Sequence, residues 1–442
     1  MALRMIHGGL VVLYAGLPAL AAAYALWRWR VGGRFDFLLG LTLASLLGAG
    51  LAVLLLLLNG TLTGGSVHAT ETVRLAWLIT SGLIVVRILD VSLGWLAGLF
   101  LRRRSRGGLP WYAQFAQRAA LALLLLPLTL AAVVVYRPAG GGGRTPDAAG
   151  LPFEAVEIVN GEGLRLAAWW LPAQPPAEAG RHAAPAEVER RGRQTVVLCH
   201  GFASGKEESL AWAATFVLAG YNVLAFDFRA HGQSEGRLCG LGAIEGGDAL
   251  AAVRWVRENR PESAQQVHAV GIDMGAVAAL EAAVSGPDLI DSLVMLEPYG
   301  DLGRLARTRL RRLAPGPLGG WLRRATPALI SAHLGVDIDG VRPERQIERM
   351  WPRPVLIVFG RDRSWSTIEE TMSLNARAAQ PKSVYWPSDV SERERRAVEP
   401  SGVDDRNVIR DAAGLGGELR ADPDVQLRTL RFIESARRLP VL

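Results

Sequence analysis

The chain has 442 residues, half of them apolar, and a formal net charge of +7. Its two cysteines, Cys199 and Cys239, exclude a disulfide framework and a cysteine-based metal site. Lys206 and Lys382 are the only lysines, and the arginines cluster beside apolar stretches rather than among aromatics, which argues against a nucleic-acid partner. The abundance of Ala, Gly, Leu and Arg points to a GC-rich bacterial genome.

The apolar residues are concentrated before residue 137, in four stretches: 9–27, 37–58, 75–101 and 119–136. Each is long enough, as a helix, to cross a hydrocarbon core of ~30 Å. A backbone in lipid must satisfy its own hydrogen bonds, so helices are the expected form. Arg28, Arg30 and Arg34 follow the first stretch; Arg102, Arg103, Arg104 and Arg106 follow the third, and Arg118 precedes the fourth. The loop between the second and third carries little positive charge beyond Arg74. The positive-inside rule then makes residues 1–136 a four-helix transmembrane region of a multi-pass cell-membrane protein, with the C-terminal domain outside the cytoplasm. Arg4 and the small residues Ala21–Ala23 also fit a cleaved signal peptide. The three spans then left could not keep both arginine clusters inside, so an uncleaved anchor is the reading adopted. In the third stretch Arg87 and Asp90, three residues apart, share a helix face. They form either a polar contact for a substrate or lipid headgroup, or a self-neutralising pair that locks the bundle.

Residues 137–150 are rich in glycine and proline, including the run Gly140–Gly143, and read as a flexible linker. Beyond them short apolar runs alternate with helical segments, the pattern of an α/β domain over 151–442 with a mostly parallel sheet and helices on both faces. Strands are expected at 153–159, 164–171, 195–199, 221–226, 266–272, 291–296, 354–359 and 382–386, the first two forming a hairpin around Asn160–Gly161. Helices are expected at 207–218, 242–259, 275–284 and 424–437.

The segment Gly271–Ile272–Asp273–Met274–Gly275 has the form G-x-S-x-G, a strand turning sharply into a helix, with aspartate in the serine position. Three further motifs precede it in order. His200–Gly201–Phe202 follows a strand; Asp227–Phe228–Arg229–Ala230–His231–Gly232–Gln233–Ser234 follows the next; Gly242, Glu245 and Asp248 are spaced G-x-x-E-x-x-D. On these motifs residues 151–438 resemble the α/β-hydrolase superfamily, in particular its bacterial serine-aminopeptidase-like members, with Ala230 in place of a glycine. The membrane half lies outside the resemblance. The likeness implies a helical cap insert at about 297–353 and an oxyanion hole made by the backbone N–H groups of Phe202 and Met274. It also implies loop-bracing roles for His200 and His231, a nucleophile position at Asp273 and an acid position at Asp362, with Glu297 as an alternative acid.

The family's catalytic histidine should follow the last strand, but no histidine follows His333. Serine and histidine are therefore missing together, and without a base no hydroxyl is activated and no leaving group is protonated. The reading is a catalytically impaired hydrolase homologue, a pseudoenzyme that binds a lipid, small ligand or partner. The alternative is an active ester, epoxide or haloalkane hydrolase with Asp273 as nucleophile, although such enzymes also need a histidine to release the ester intermediate. Asp273, Glu297 and Asp362 are expected at neighbouring strand ends, where they would be protonated, hold a cation or be neutralised by Arg361 or Arg363. The pattern points to no metal and no cofactor. In the insert, residues 302–313 form a basic amphipathic helix whose Arg304, Arg307, Arg311 and Arg312 either meet anionic lipid or are simply solvated. Residues 388–423 read as an irregular insertion.

Overall fold

Eight short runs of mostly aliphatic residues form one sheet in the computed structural model, which describes residues 126–128, 130–131, 134–135, 144–174, 185–313, 316–359, 366–385 and 423–436. The first three apolar stretches, most of the fourth, the Arg87–Asp90 pair, residues 137–143, Asp362 and residues 388–422 lie outside the described residues. Among the described residues no helix is long and apolar enough to cross a membrane.

The strands are β1 (Glu154–Val159), β2 (Arg165–Leu171), β3 (Gln194–Cys199), β4 (Asn222–Phe226), β5 (Gln266–Ile272), β6 (Ser292–Leu296), β7 (Val355–Val358) and β8 (Lys382–Tyr385). Their order is β1-β2-β4-β3-β5-β6-β7-β8. The pairs β1–β2 and β2–β4 are antiparallel, and every other pair is parallel. The hairpin expected at Asn160 is present: its side-chain oxygen accepts the N–H groups of Glu162 and Leu164, both at 2.9 Å. This is how an Asx residue closes a tight connection.

The parallel strands are buried on both faces, so their sequences are continuously apolar instead of alternating. Successive residues still enter different cores, because side chains alternate across a strand. Val197, Cys199, Leu224, Ala269, Met295 and Ile357 pack in one cluster. Val196, Leu198, Val223, Val270, Val294 and Leu356 pack in the other. The helices covering these faces are α1 (Pro185–Arg191), α2 (Leu210–Leu218), α3 (Gly246–Asn259), α4 (Met274–Ser285), α5 (Leu302–Leu313), α6 (Gly316–Leu334), α7 (Pro343–Gln346), α8 (Ile368–Arg377) and α9 (Pro423–Ala436).

Helix α3 starts four residues later than its sequence suggests, for a visible reason. The Glu245 carboxylate accepts the N–H groups of Gly240 at 2.6 Å, Gly242 at 2.8 Å and Ile244 at 3.3 Å, closing a turn that holds 242–245 out of the helix. One turn on, Asp248 accepts Arg229 Nε at 2.9 Å, Arg229 Nη2 at 2.8 Å and Asn160 Nδ2 at 2.6 Å. The G-x-x-E-x-x-D spacing thus ties three loops together.

The insert between β6 and β7 contains α5, α6, α7 and a 3-10 turn at Ile347–Met350. Helix α5 buries Leu302, Leu305 and Leu310. Two arginines read from the sequence as solvated or lipid-facing make internal pairs instead: Arg304 with Glu344 and Glu370, and Arg307 with Asp339.

Between β5 and α4 the chain turns at Asp273, whose φ of 53° lies in the left-handed region. The flanking glycines are required by contact. A Cβ on Gly271 would lie 2.4 Å from the Gly275 carbonyl oxygen, and one on Gly275 would lie 2.2 Å from that of Cys199 and 2.4 Å from that of His200. Those neighbours are backbone and cannot move aside cheaply. Gly275→Ala is therefore expected to destabilise the domain by about 3 kcal/mol or more, the upper end for overpacking. Chemical denaturation of wild type and variant measures this; equal midpoints would contradict the contact.

Candidate functional site

The elbow lifts Asp273 to the carboxyl end of β5, next to the ends of β3 and β6. The Asp273 N–H donates to the Leu296 carbonyl oxygen at 2.8 Å, fixing the turn against β6. Glu297, the next residue of that neighbouring strand, also has a left-handed φ, 54°, and donates its N–H to the Val358 carbonyl oxygen at 2.9 Å. Two acidic residues thus leave adjacent strands through the same unusual backbone conformation. Such strain is characteristic of functional positions.

The Asp273 side chain is only 7% exposed. Its Oδ2 accepts the backbone N–H of Phe202 at 3.3 Å. Of the two groups that the family resemblance assigns to an oxyanion, the Phe202 N–H is therefore bonded to the carboxyl group of Asp273 itself. Oδ1 is buried and has no hydrogen-bond partner among the described residues. A buried oxygen left so is uncommon and costs about 1–3 kcal/mol unless a ligand or water meets it.

Burial pushes the Asp273 carboxyl up to about 8. The Phe202 bond opposes that rise, the charge of Glu297 adds to it, and Met274 and Arg309 oppose it more weakly. At neutral pH the carboxyl is mostly protonated. With Oδ2 accepting from Phe202, the proton belongs on Oδ1.

Among the described residues no histidine nitrogen bonds Asp273 in the manner of a triad. The Phe228 N–H donates to His200 Nε2 at 3.0 Å, which puts the ring proton on Nδ1, donating to the Gly201 carbonyl oxygen at 2.8 Å. Burial also lowers the pKa of His200. His231 holds the Arg229 carbonyl oxygen through Nδ1 at 2.8 Å, its ring edge-on to His200 at 5.1 Å. His268 lies between Ser292 and Gln194 at the opposite end of the sheet. The acid position Asp362 lies outside the described residues.

One residue of the site was not singled out in the sequence. Arg309 on α5 is 9% exposed, and its charge acts on Asp273. The signal was present: Leu302, Leu305, Ala306 and Leu310 mark the apolar stripe of α5, and Arg309 falls within it, where a charge is costly unless engaged. Tyr299 also borders the site. It is fully buried, and its hydroxyl donates to the Leu241 carbonyl oxygen.

The folded Asp273 binds its proton more tightly than the unfolded chain, which titrates near the ordinary 3.8. Stability is therefore fully present below that value and falls as pH rises toward about 8, the folded value. At about pH 7 the loss is on the order of 4 kcal/mol, at about 1.4 kcal/mol per tenfold in proton affinity. Asp273→Asn is expected to remove this dependence and to stabilise the domain by about 2–4 kcal/mol at neutral pH. Denaturation midpoints across that window measure it, and a variant that keeps the wild-type slope would assign the slope to other groups.

Residues 194–365 match the family model described as alpha/beta hydrolase fold. The chain is 28% identical over 208 residues to the uncharacterized protein YqkD of Bacillus subtilis (strain 168), a match covering 47% of this chain and 66% of that protein. It is 32% identical over 109 residues to the dihydrolipoyllysine-residue acetyltransferase component of the acetoin cleaving system of Cupriavidus necator, covering 25% of this chain and 28% of that one. The chain thus spans less than two thirds of either relative. Among solved structures it is similar to an esterase of Pyrococcus furiosus, with 20% identity, a TM-score of 0.46 and coverage of 68% of this chain and 99% of the esterase. The part of the chain from residue 194 to residue 365 has the α/β-hydrolase fold.

Proposed function

We propose that this chain is a membrane-anchored protein whose α/β-hydrolase-fold domain binds a ligand at Asp273 and does not carry out serine-hydrolase chemistry. One observation carries the reading. The Phe202 N–H, one of the two donors that would stabilise a tetrahedral oxyanion, already bonds the carboxyl group of Asp273. An acyl substrate must displace that carboxyl before this donor can serve it. The absence of any histidine after His333 supports the same conclusion, because no imidazole stands in the expected place to shuttle the proton.

Anchoring is supported by the four apolar stretches before residue 137, and their arginine pattern favours a domain outside the cytoplasm. A bilayer partner and a lipid or small-molecule ligand are consistent with that placement. The second reading, an alkyl-transferring hydrolase with Asp273 as nucleophile, draws on the position of this carboxyl at the strained elbow. A protonated carboxyl is a poor nucleophile, so this reading requires alkaline pH.

Full-length protein is expected in the membrane fraction and to resist alkaline extraction; recovery in the soluble fraction would sink the anchoring. Purified in detergent, it is expected to release no product from short-chain chromogenic esters, and Asp273→Ser is expected to give no steady turnover. Saturable turnover by wild type that disappears in Asp273→Ala would overturn the proposal. A mass adduct on Asp273 after exposure to an epoxide or alkyl halide above the titration of this group would favour the second reading instead.

A further inference from the structure

We infer that the elbow binds the carbonyl oxygen of an uncharged ligand (a ketone, amide or ester) through a hydrogen bond donated from Oδ1 of the Asp273 carboxyl group. The inference rests on the reading above, that this site binds and does not cleave, and names the chemistry of what it binds. Its basis is the asymmetry of the two carboxyl oxygens. Oδ2 is held by the Phe202 N–H at 3.3 Å, whereas Oδ1 is buried and has no partner among the described residues. A carboxyl group whose one oxygen accepts a backbone bond carries its proton on the other. No described residue accepts that proton. A carboxylic acid kept neutral by its surroundings is an effective donor to a carbonyl oxygen.

The neighbouring charges favour an uncharged acceptor. Glu297, at the end of β6, and Arg309, on α5, act on Asp273 with opposite signs. A free carboxylate would be repelled by the first and an ammonium by the second. Among the described residues, three further titratable groups nearby leave this balance unchanged. Tyr299 is held far above its ordinary value by burial, and His200 is held neutral by burial and by bonds at both nitrogens. Cys199, at the end of β3, is likewise kept in its thiol form by burial.

The test is binding of methyl pentyl ketone and N-methyl hexanamide to full-length protein in detergent, by calorimetry, from about pH 6 to about pH 10. Both are expected to bind, with Kd constant at low pH and rising about tenfold per pH unit above the Asp273 titration near 8. Asp273→Asn keeps an acceptor toward Phe202 and places an N–H at the Oδ1 position. It is expected to bind within about threefold of wild type at neutral pH and to lose the pH dependence, whereas Asp273→Ala weakens binding by about tenfold or more. If Asp273→Asn does not fold, infrared spectra of wild type with isotope-labelled aspartate give the same answer. A carboxylic-acid band that shifts when ketone binds supports the inference, and one that does not shift overturns it. Failure of both probes to bind, binding that tightens as pH rises, or an Asn variant as weak as the Ala variant would each overturn it. Ester turnover by the wild type would overturn the non-hydrolytic reading on its own evidence, independently of the ketone titration.

Discussion

The close approach of the elbow to the end of β3 governs this site. The Gly275 Cα sits so near the Cys199 and His200 carbonyl oxygens that no side chain fits between them. That contact places α4 directly behind β3, and it sets residue 273 at a left-handed φ with its side chain held between the Phe202 loop and β6. Whatever occupies position 273 is therefore buried and close to the Phe202 N–H. In a serine enzyme the same constraint presents a small hydroxyl to substrate. With aspartate there, the carboxyl reaches the backbone donor itself, and burial outweighs the two N–H groups in deciding its protonation.

The loops around the elbow are fixed by buried charge, which holds the architecture independently of any catalytic residue. Asp227 accepts the Lys206 N–H at 2.7 Å and the Gln233 N–H at 2.9 Å, and pairs with the Lys206 ammonium, which lies 4.8 Å from the centre of the Trp169 ring. Both side chains of this pair are almost wholly excluded from solvent. Arg229 and Asp248 form a second buried pair with two parallel bonds. Removing one partner from such a pair typically costs about 3–5 kcal/mol, because the other charge is left buried and uncompensated. In this domain His200 and His231 are tied to backbone in the same loops. The D-x-R-x-H-G-x-S block is thus a structural clamp as it stands here, with no need of a reacting substrate to account for it.

Most of this framework was legible in the sequence, and the gaps have physical causes. Buried parallel strands are short continuous apolar runs, and all eight appeared within two residues of their expected ends. The elbow was legible because its glycines are dictated by backbone contact. Helix α3 was read four residues too long, because Gly242 and Ala243 continue a helical pattern and only the folded turn shows the Glu245 carboxylate closing on three N–H groups. Helix α6 went unread: its Gly319, Gly320 and Pro327 are poor helix formers, and its helicity is supported by packing against α5. Among site residues, Phe202, Met274 and Glu297 could be placed from motif order, but the engagement of Phe202 by Asp273 could not. That bond joins residues 71 positions apart and has no local signature.

The replacement of serine by aspartate at an elbow is often read as the loss of a nucleophile alone. Here it also changes what the donors face and what the site offers. A serine leaves the Phe202 N–H free and presents an oxygen that attacks once deprotonated. The aspartate accepts that N–H, and burial, which pushes its carboxyl up to about 8, favours the protonated form. On the proposed reading a donor would then still face the carbonyl oxygen of a bound ligand. Restoring a serine alone would uncover the backbone donor without supplying a base. Restoring a histidine alone would set an imidazole beside a carboxyl that has nothing to attack with until it ionises.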